Sequence, residues 1–340
     1  MNKRISRSLI LAATAAFSLA TIAKVQAENP VQVYILAGQS NMQGKGAMEG
    51  FQGQTHYLRH LINDDATKGE FKLGMERNGR WSERKDVWVH YNLAPWRELR
   101  YGPLKAGFGC KSDEIGPEYG FGNVMGDALD EQVLIIKAAW GGKSLGFNFL
   151  PPSLSKEAKP KMIMEIDREL GSTADQTASY FYYQMVELAK TVPENIKTFF
   201  PGYKGQGVEI AGLCWLQGWQ DQYKDLAPHY EKNLVAFIED IRSEEHGLGI
   251  PDLPIVIGTC GMLKDDSPIV QGQLAMADGE KYPKFAGNVG VVDTSKPYGP
   301  DQMEFHFGKK KGDWHWNNHA RSYNNIGRAM AAEMLKLHKK

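Results

Sequence analysis

Ser40 stands in Gly38-Gln39-Ser40-Asn41-Met42, directly after the apolar run Val31–Ala37. A serine presented on a tight turn after a strand, with glycine before it, is placed to act as a nucleophile. Its own backbone N–H can then help bind an oxyanion. The same position also suits a helix N-cap, the commoner use of a strand-end serine. A second serine competes: Gly142-Lys143-Ser144-Leu145-Gly146 is a literal G-x-S-x-G match. That elbow must lead into a helix, yet Phe147-Asn148-Phe149-Leu150-Pro151-Pro152 follows, and two prolines oppose one. The segment nearly makes a phosphate-binding loop as well, but Lys137 occupies the position that needs glycine. His315 and His319 stand four apart, as zinc ligands on a helix do, but Trp316 replaces the glutamate of a zinc protease. His319 reads instead as a helix-start residue, and no cofactor or metal is called for.

These residues need a frame. Val31–Ala37, Val133–Ala138, Val208–Trp215, Pro254–Thr259 and Val289–Asp293 read as buried strands. Helical patterns fall at Tyr119–Leu129, Ala178–Thr191, Tyr230–Glu244 and Ala320–Leu337. Strands alternating with helices predict an α/β fold, a parallel sheet covered on both faces. Ligands of such sheets sit outside the carboxyl ends of the strands. Ser40 lies at one such end. Two stretches break the alternation, around 45–115 and 147–175. Long loops in a compact domain are usually functional.

The N-terminus is read separately. Lys3, Arg4 and Arg7 precede an apolar stretch from Leu9 to Ile22, and Val25-Gln26-Ala27 fits a cleavage site. This layout predicts a signal peptide over 1–27 and a secreted or periplasmic protein, not one held in the membrane. The remainder, 28–340, is read as a single domain with the two insertions. The formal net charge is zero, so no nucleic-acid or anionic-membrane partner is indicated. Cys110, Cys214 and Cys260 are an odd number, which is no disulfide framework. Cys214 and Cys260 lie in strand-like runs and read as buried free thiols.

The chain resembles the SGNH hydrolases, in the branch holding sialate O-acetylesterases and acetylxylan esterases. The resemblance rests on GQSNM at 38–42, Gly116-Pro117-Glu118-Tyr119-Gly120 before a helix, and Ala139-Trp140-Gly141-Gly142-Lys143-Ser144 after a strand. Trp215-Leu216-Gln217-Gly218-Trp219-Gln220-Asp221 ends the next, and His315-Trp316-Asn317 precedes the last helix. It implies a flavodoxin-like three-layer α/β/α fold with a mostly parallel five-stranded sheet. It also implies a Ser-His-Asp triad with Ser40 as nucleophile and His315 as base. The oxyanion would be held by the Ser40 N–H, a backbone N–H near Gly142, and the Gln217 amide. Gln39, Asn41 and Trp219 would meet substrate. Two positions depart from the pattern. Trp219 replaces a common glutamate, and Gly312 stands where the acid is usual. Asp313, two residues before His315, can face the same side in an extended segment. Asp221 and Asp293, each near a strand end, are alternative acids.

The function implied is hydrolysis of O-acetyl esters on carbohydrate, polysaccharide or sialic acid. A general short-chain acyl esterase and a non-catalytic glycan-binding protein are the rival readings. Trp81, Trp88, Trp96 and Trp219 serve equally as core or as sugar platforms.

Overall fold

The computed structural model describes residues 29–50, 55–94, 98–157, 159–160, 174, 176–295 and 315–339. The 1–27 leader, Trp96 and Asp313 lie outside them.

The strands are β1 (Val31–Gly38), β2 (Gly46–Ala47), β3 (Arg84–Ala94), β4 (Glu98–Leu104), β5 (Glu114–Ile115), β6 (Val133–Ala139), β7 (Val208–Leu216), β8 (Ile255–Gly258) and β9 (Val289–Val292). The helices that matter for the site are α1 (Ser40–Gln43), α2 (Pro117–Ala128), α3 (Tyr180–Glu194), α4 (Tyr230–Arg242), α5 (Pro268–Ala275) and α6 (Ala320–His338). The main sheet runs β4-β3-β6-β1-β7-β8-β9. From β3 to β9 every pair is parallel, and β4 closes one edge antiparallel to β3. The five strands expected from apolar runs are all present and follow the flavodoxin-like order, which switches direction at β1.

The sheet has seven strands, not five. The additional pair, β3 and β4, comes from the stretch read as an insertion. An apolar-run search passes over β3 because His90 and Asn92 interrupt it and charged residues precede it. Yet Val87, Val89 and Tyr91 pack into one core and Trp88 into the other.

The two cores follow from the strand period of two. Val33, Ile35 and Ala37 of β1 face one layer, which includes Phe181, Met185, Leu234 and Phe237 of α3 and α4. Tyr34 and Leu36 face the other, which includes Tyr119, Phe121, Tyr323 and Met330 of α2 and α6. Cys214 and Cys260 are buried free thiols, as read from the sequence. No described helix is long and apolar enough to cross a membrane.

Register levels the three central strand ends. Gly38 pairs with Ala139 of β6 on one side and Leu216 of β7 on the other. The loops after β6 and β7 therefore flank the turn after β1. Glycine is required at 38, because an added Cβ would sit 2.1 Å from Leu216 O.

Candidate active site

Ser40 opens α1 at the carboxyl edge of β1. Its hydroxyl oxygen lies 3.1 Å from His315 Nε2. His315 is carried by a turn just before α6, in which Trp316, Asn317 and Asn318 all take positive φ (43°, 52° and 58°). Left-handed backbone is unfavourable for a bulky residue such as Trp316 and persists only where its surroundings enforce it. Here Trp316 is buried and packs edge-on against Tyr323, ring centroids 5.6 Å apart. The Tyr323 hydroxyl lies 3.0 Å from Asn41 Oδ1 and 3.2 Å from His315 O. It can donate to either, and so bridges the nucleophile turn and the histidine turn.

Burial, and then the positive charge of Lys45, lower the His315 pKa from 6.5 to about 4. Both effects disfavour the imidazolium. The ring is therefore neutral near pH 7 and able to accept the serine proton.

The loop after β6 brings Gly141 beside the nucleophile. A Cβ added there would lie 3.9 Å from Ser40 Cβ. Gly142 follows, exposed and with φ of 70°. The loop is held by Asp221, from the segment after β7. Asp221 is fully buried and accepts from Leu145 N at 2.9 Å, Gly146 N at 2.8 Å and Gln217 Nε2 at 2.6 Å. Burial raises its pKa, and these three hydrogen bonds oppose the rise.

Gln217 does more than the sequence suggests. Its amide nitrogen donates to Asp221 and to Lys143 O at 3.0 Å, while its Oε1 accepts from Tyr230 Oη at 3.0 Å. An amide nitrogen has two protons, and both are engaged here. Donation to an oxyanion requires exchange of the Lys143 bond. Gln39 also turns inward: its Oε1 accepts from Gly218 N at 3.3 Å and Gln220 N at 3.2 Å. Asn41 Nδ2 lies 3.4 Å from Met262 Sδ.

Of the alternative acids, Asp221 is engaged as described, and Asp293 Oδ1 accepts from Ser295 N at 2.9 Å and Ser295 Oγ at 2.5 Å. Ser144 is buried, and its backbone N–H donates to Asn148 Oδ1 at 3.0 Å. The segment after it forms turns, not an elbow helix. His319 is the N-cap residue of α6. Trp88 stacks on Phe200 with centroids 4.8 Å apart, which is core packing. Arg59 sits over Trp81.

Two hollows lie among the loops after β1, β6 and β7. A small one, of about 10 Å³, is lined by Gln39, Asn41, Gly218, Trp219, Met262 and Trp316 among others. These include the neighbours of both Ser40 and His315. A wider groove of about 490 Å³ runs between the 142–148 and 220–226 segments, past Gly142, Phe147 and Lys224.

Sequence reasoning did not find Tyr323, Tyr230 or Met262. A tyrosine within a helical pattern reads as core, and nothing local marks its hydroxyl as a bridge.

The serine–histidine pair lies at the switch point of a parallel sheet, where ligands of such sheets bind. Residues 30–336 match the family described as carbohydrate esterase, sialic acid-specific acetylesterase. The chain belongs to this family and is a carboxylic ester hydrolase. Among solved structures it resembles a protein of Arabidopsis thaliana at 18% identity and a TM-score of 0.50, covering 90% of this chain and 98% of that one. It also resembles NanS at 12% identity and a TM-score of 0.50, covering 92% and 99%. No curated protein matches the chain in sequence.

Proposed function

We propose that the protein removes acetyl groups from O-acetylated carbohydrate through a Ser40–His315–Asp313 triad. The observation that carries this reading is the 3.1 Å approach of His315 Nε2 to Ser40 Oγ. His315 takes the serine proton as Ser40 Oγ attacks the acetyl carbonyl, then gives that proton to the departing sugar oxygen. An acetyl-serine and a free sugar hydroxyl result. Water, activated by the same histidine, releases acetate. The oxyanion is bound by the Ser40 and Gly142 backbone N–H groups, with Gln217 as the third donor when its Lys143 bond is exchanged. Asp313 orients the imidazole, a choice supported by its place two residues before His315 in the sequence. No cofactor enters this route.

The groove beside Gly142 is large enough for a sugar, within the usual range of ligand pockets, and the exposed Phe147 gives it an aromatic wall. Acetate release from acetylated polysaccharides and O-acetyl sialic acids tests the substrate. Comparison of acetyl with longer acyl p-nitrophenyl esters tests the chain length. The basic start, apolar stretch and Val25-Gln26-Ala27 site support export to the periplasm or medium. An exported protein whose sequence still begins at Met1 would end that part of the reading.

A further inference from the structure

Ester hydrolysis as outlined makes no use of Lys137, yet this lysine of β6 is fully buried. Its ammonium donates to Glu118 Oε2 at 2.7 Å, Gln43 O at 2.7 Å and Phe108 O at 2.6 Å. An ammonium has three protons, so each has an acceptor. The Tyr91 ring covers another side, its centroid 4.4 Å from Nζ. Glu118 is equally buried, and its other oxygen accepts from Gly116 N at 2.8 Å. Such an ion pair gives little stability over apolar residues of the same size. What it does give is a fixed geometry for the groups it touches.

The group that matters is Gln43, the last residue of the turn that Ser40 begins. Lys137 holds its backbone carbonyl. The Gln43 side chain continues toward the opposite loop: Nε2 donates to Tyr91 Oη at 3.0 Å, and Oε1 lies 2.9 Å from where a Cβ on Gly141 would be. One residue thus touches both the nucleophile turn and the glycine loop across from it. A displaced Gln43 would change the distance between Ser40 and the loop that carries the Gly142 N–H.

Resting on the reading of Ser40 and Gly142 given above, we infer that Lys137, with Glu118 as its counter-charge, is a positioning residue that acts through Gln43 to set the nucleophile against the oxyanion-binding loop. It does not touch substrate.

The test uses two variants assayed on p-nitrophenyl acetate, with folding checked by circular dichroism and thermal melting. The double variant Lys137→Met with Glu118→Gln removes the ion pair without leaving a buried charge. Gln43→Ala leaves the ion pair intact and keeps the test open if the double variant does not fold. Misplacement by about an ångström costs on the order of a hundredfold in rate, so kcat is expected to fall about ten- to a hundredfold in each folded variant. KM should stay within about twofold, since only transition-state binding is lost. The acid limb of the pH profile should not move, because neither group exchanges the catalytic proton. A folded variant with wild-type kcat overturns the inference, as does a change confined to KM or a shifted acid limb. Inactive wild type, or full activity in Ser40→Ala, defeats the underlying mechanism and this inference together.

Discussion

His315 Nε2 meets Ser40 Oγ at 3.1 Å although 275 positions separate the two residues in the chain. The parallel sheet makes the meeting possible. Ser40 leaves the carboxyl end of β1, and the left-handed turn before α6 returns His315 to the same edge. Tyr323 ties the two turns from below through Asn41 and the His315 carbonyl.

The first consequence concerns pH. Burial and the charge of Lys45 lower the His315 pKa to about 4. A base must be neutral to accept a proton, so a depressed pKa extends activity into acid. Burial and Lys45 place the acid limb of kcat/KM below the ordinary imidazole value of about 6.5, outweighing the opposite pull of a paired Asp313 carboxylate. Lys45→Ala should move it upward, because removing a nearby positive charge makes protonation easier. A pH–rate profile of both proteins checks this; a wild-type limb at or above the ordinary value contradicts it.

Asp313 is tested by Asp313→Asn. An amide can favour the wrong imidazole tautomer and cannot stabilise the imidazolium, a loss on the order of ten-thousand-fold in a comparable triad. Steady-state turnover on p-nitrophenyl acetate gives the answer. A change of only a few-fold would remove Asp313 from the triad, since a solvated loop carboxylate contributes weakly.

Asp221 is expected to act differently. All three of its partners donate to it: Leu145 N, Gly146 N and Gln217 Nε2. In Asp221→Asn the new NH₂ group must face one of these donors, leaving buried groups unsatisfied at about 1–3 kcal/mol each. The variant should melt at lower temperature and lose turnover together, because the same bonds hold the loop at Gly142. Unchanged melting would show that the loop does not depend on this carboxylate.

Much of this was legible in the residues. The five apolar runs mark their strands because parallel strands are buried on both faces. The strand-end Ser40 and the pattern before the last helix lead to a pair that the fold brings together. β3 was hidden because its buried His90 and Asn92 break the apolar signal. Lys137 looks like a failed phosphate-loop position, and only the fold shows its ammonium against Gln43, Phe108 and Glu118. Asp221 and Gln217 stand four apart in one loop, and their types fit acid or oxyanion donor equally well. Their partners, Leu145, Gly146 and Lys143, come from the loop after another strand, a long-range relation that local spacing cannot supply.

The nucleophile remains the central claim, and Ser40→Ala tests it against Ser144→Ala. Acetate release from an O-acetylated sugar is measured for wild type and both variants, with melting curves to confirm folding. Ser40→Ala should lose nearly all turnover with its fold intact, a drop on the order of a million-fold where a serine nucleophile of this kind is removed. Ser144→Ala should keep most of its activity, because Ser144 serves the turn with Asn148. A folded Ser40→Ala enzyme that still releases acetate at the wild-type rate, or a Ser144→Ala enzyme that is the inactive one, would contradict the mechanism.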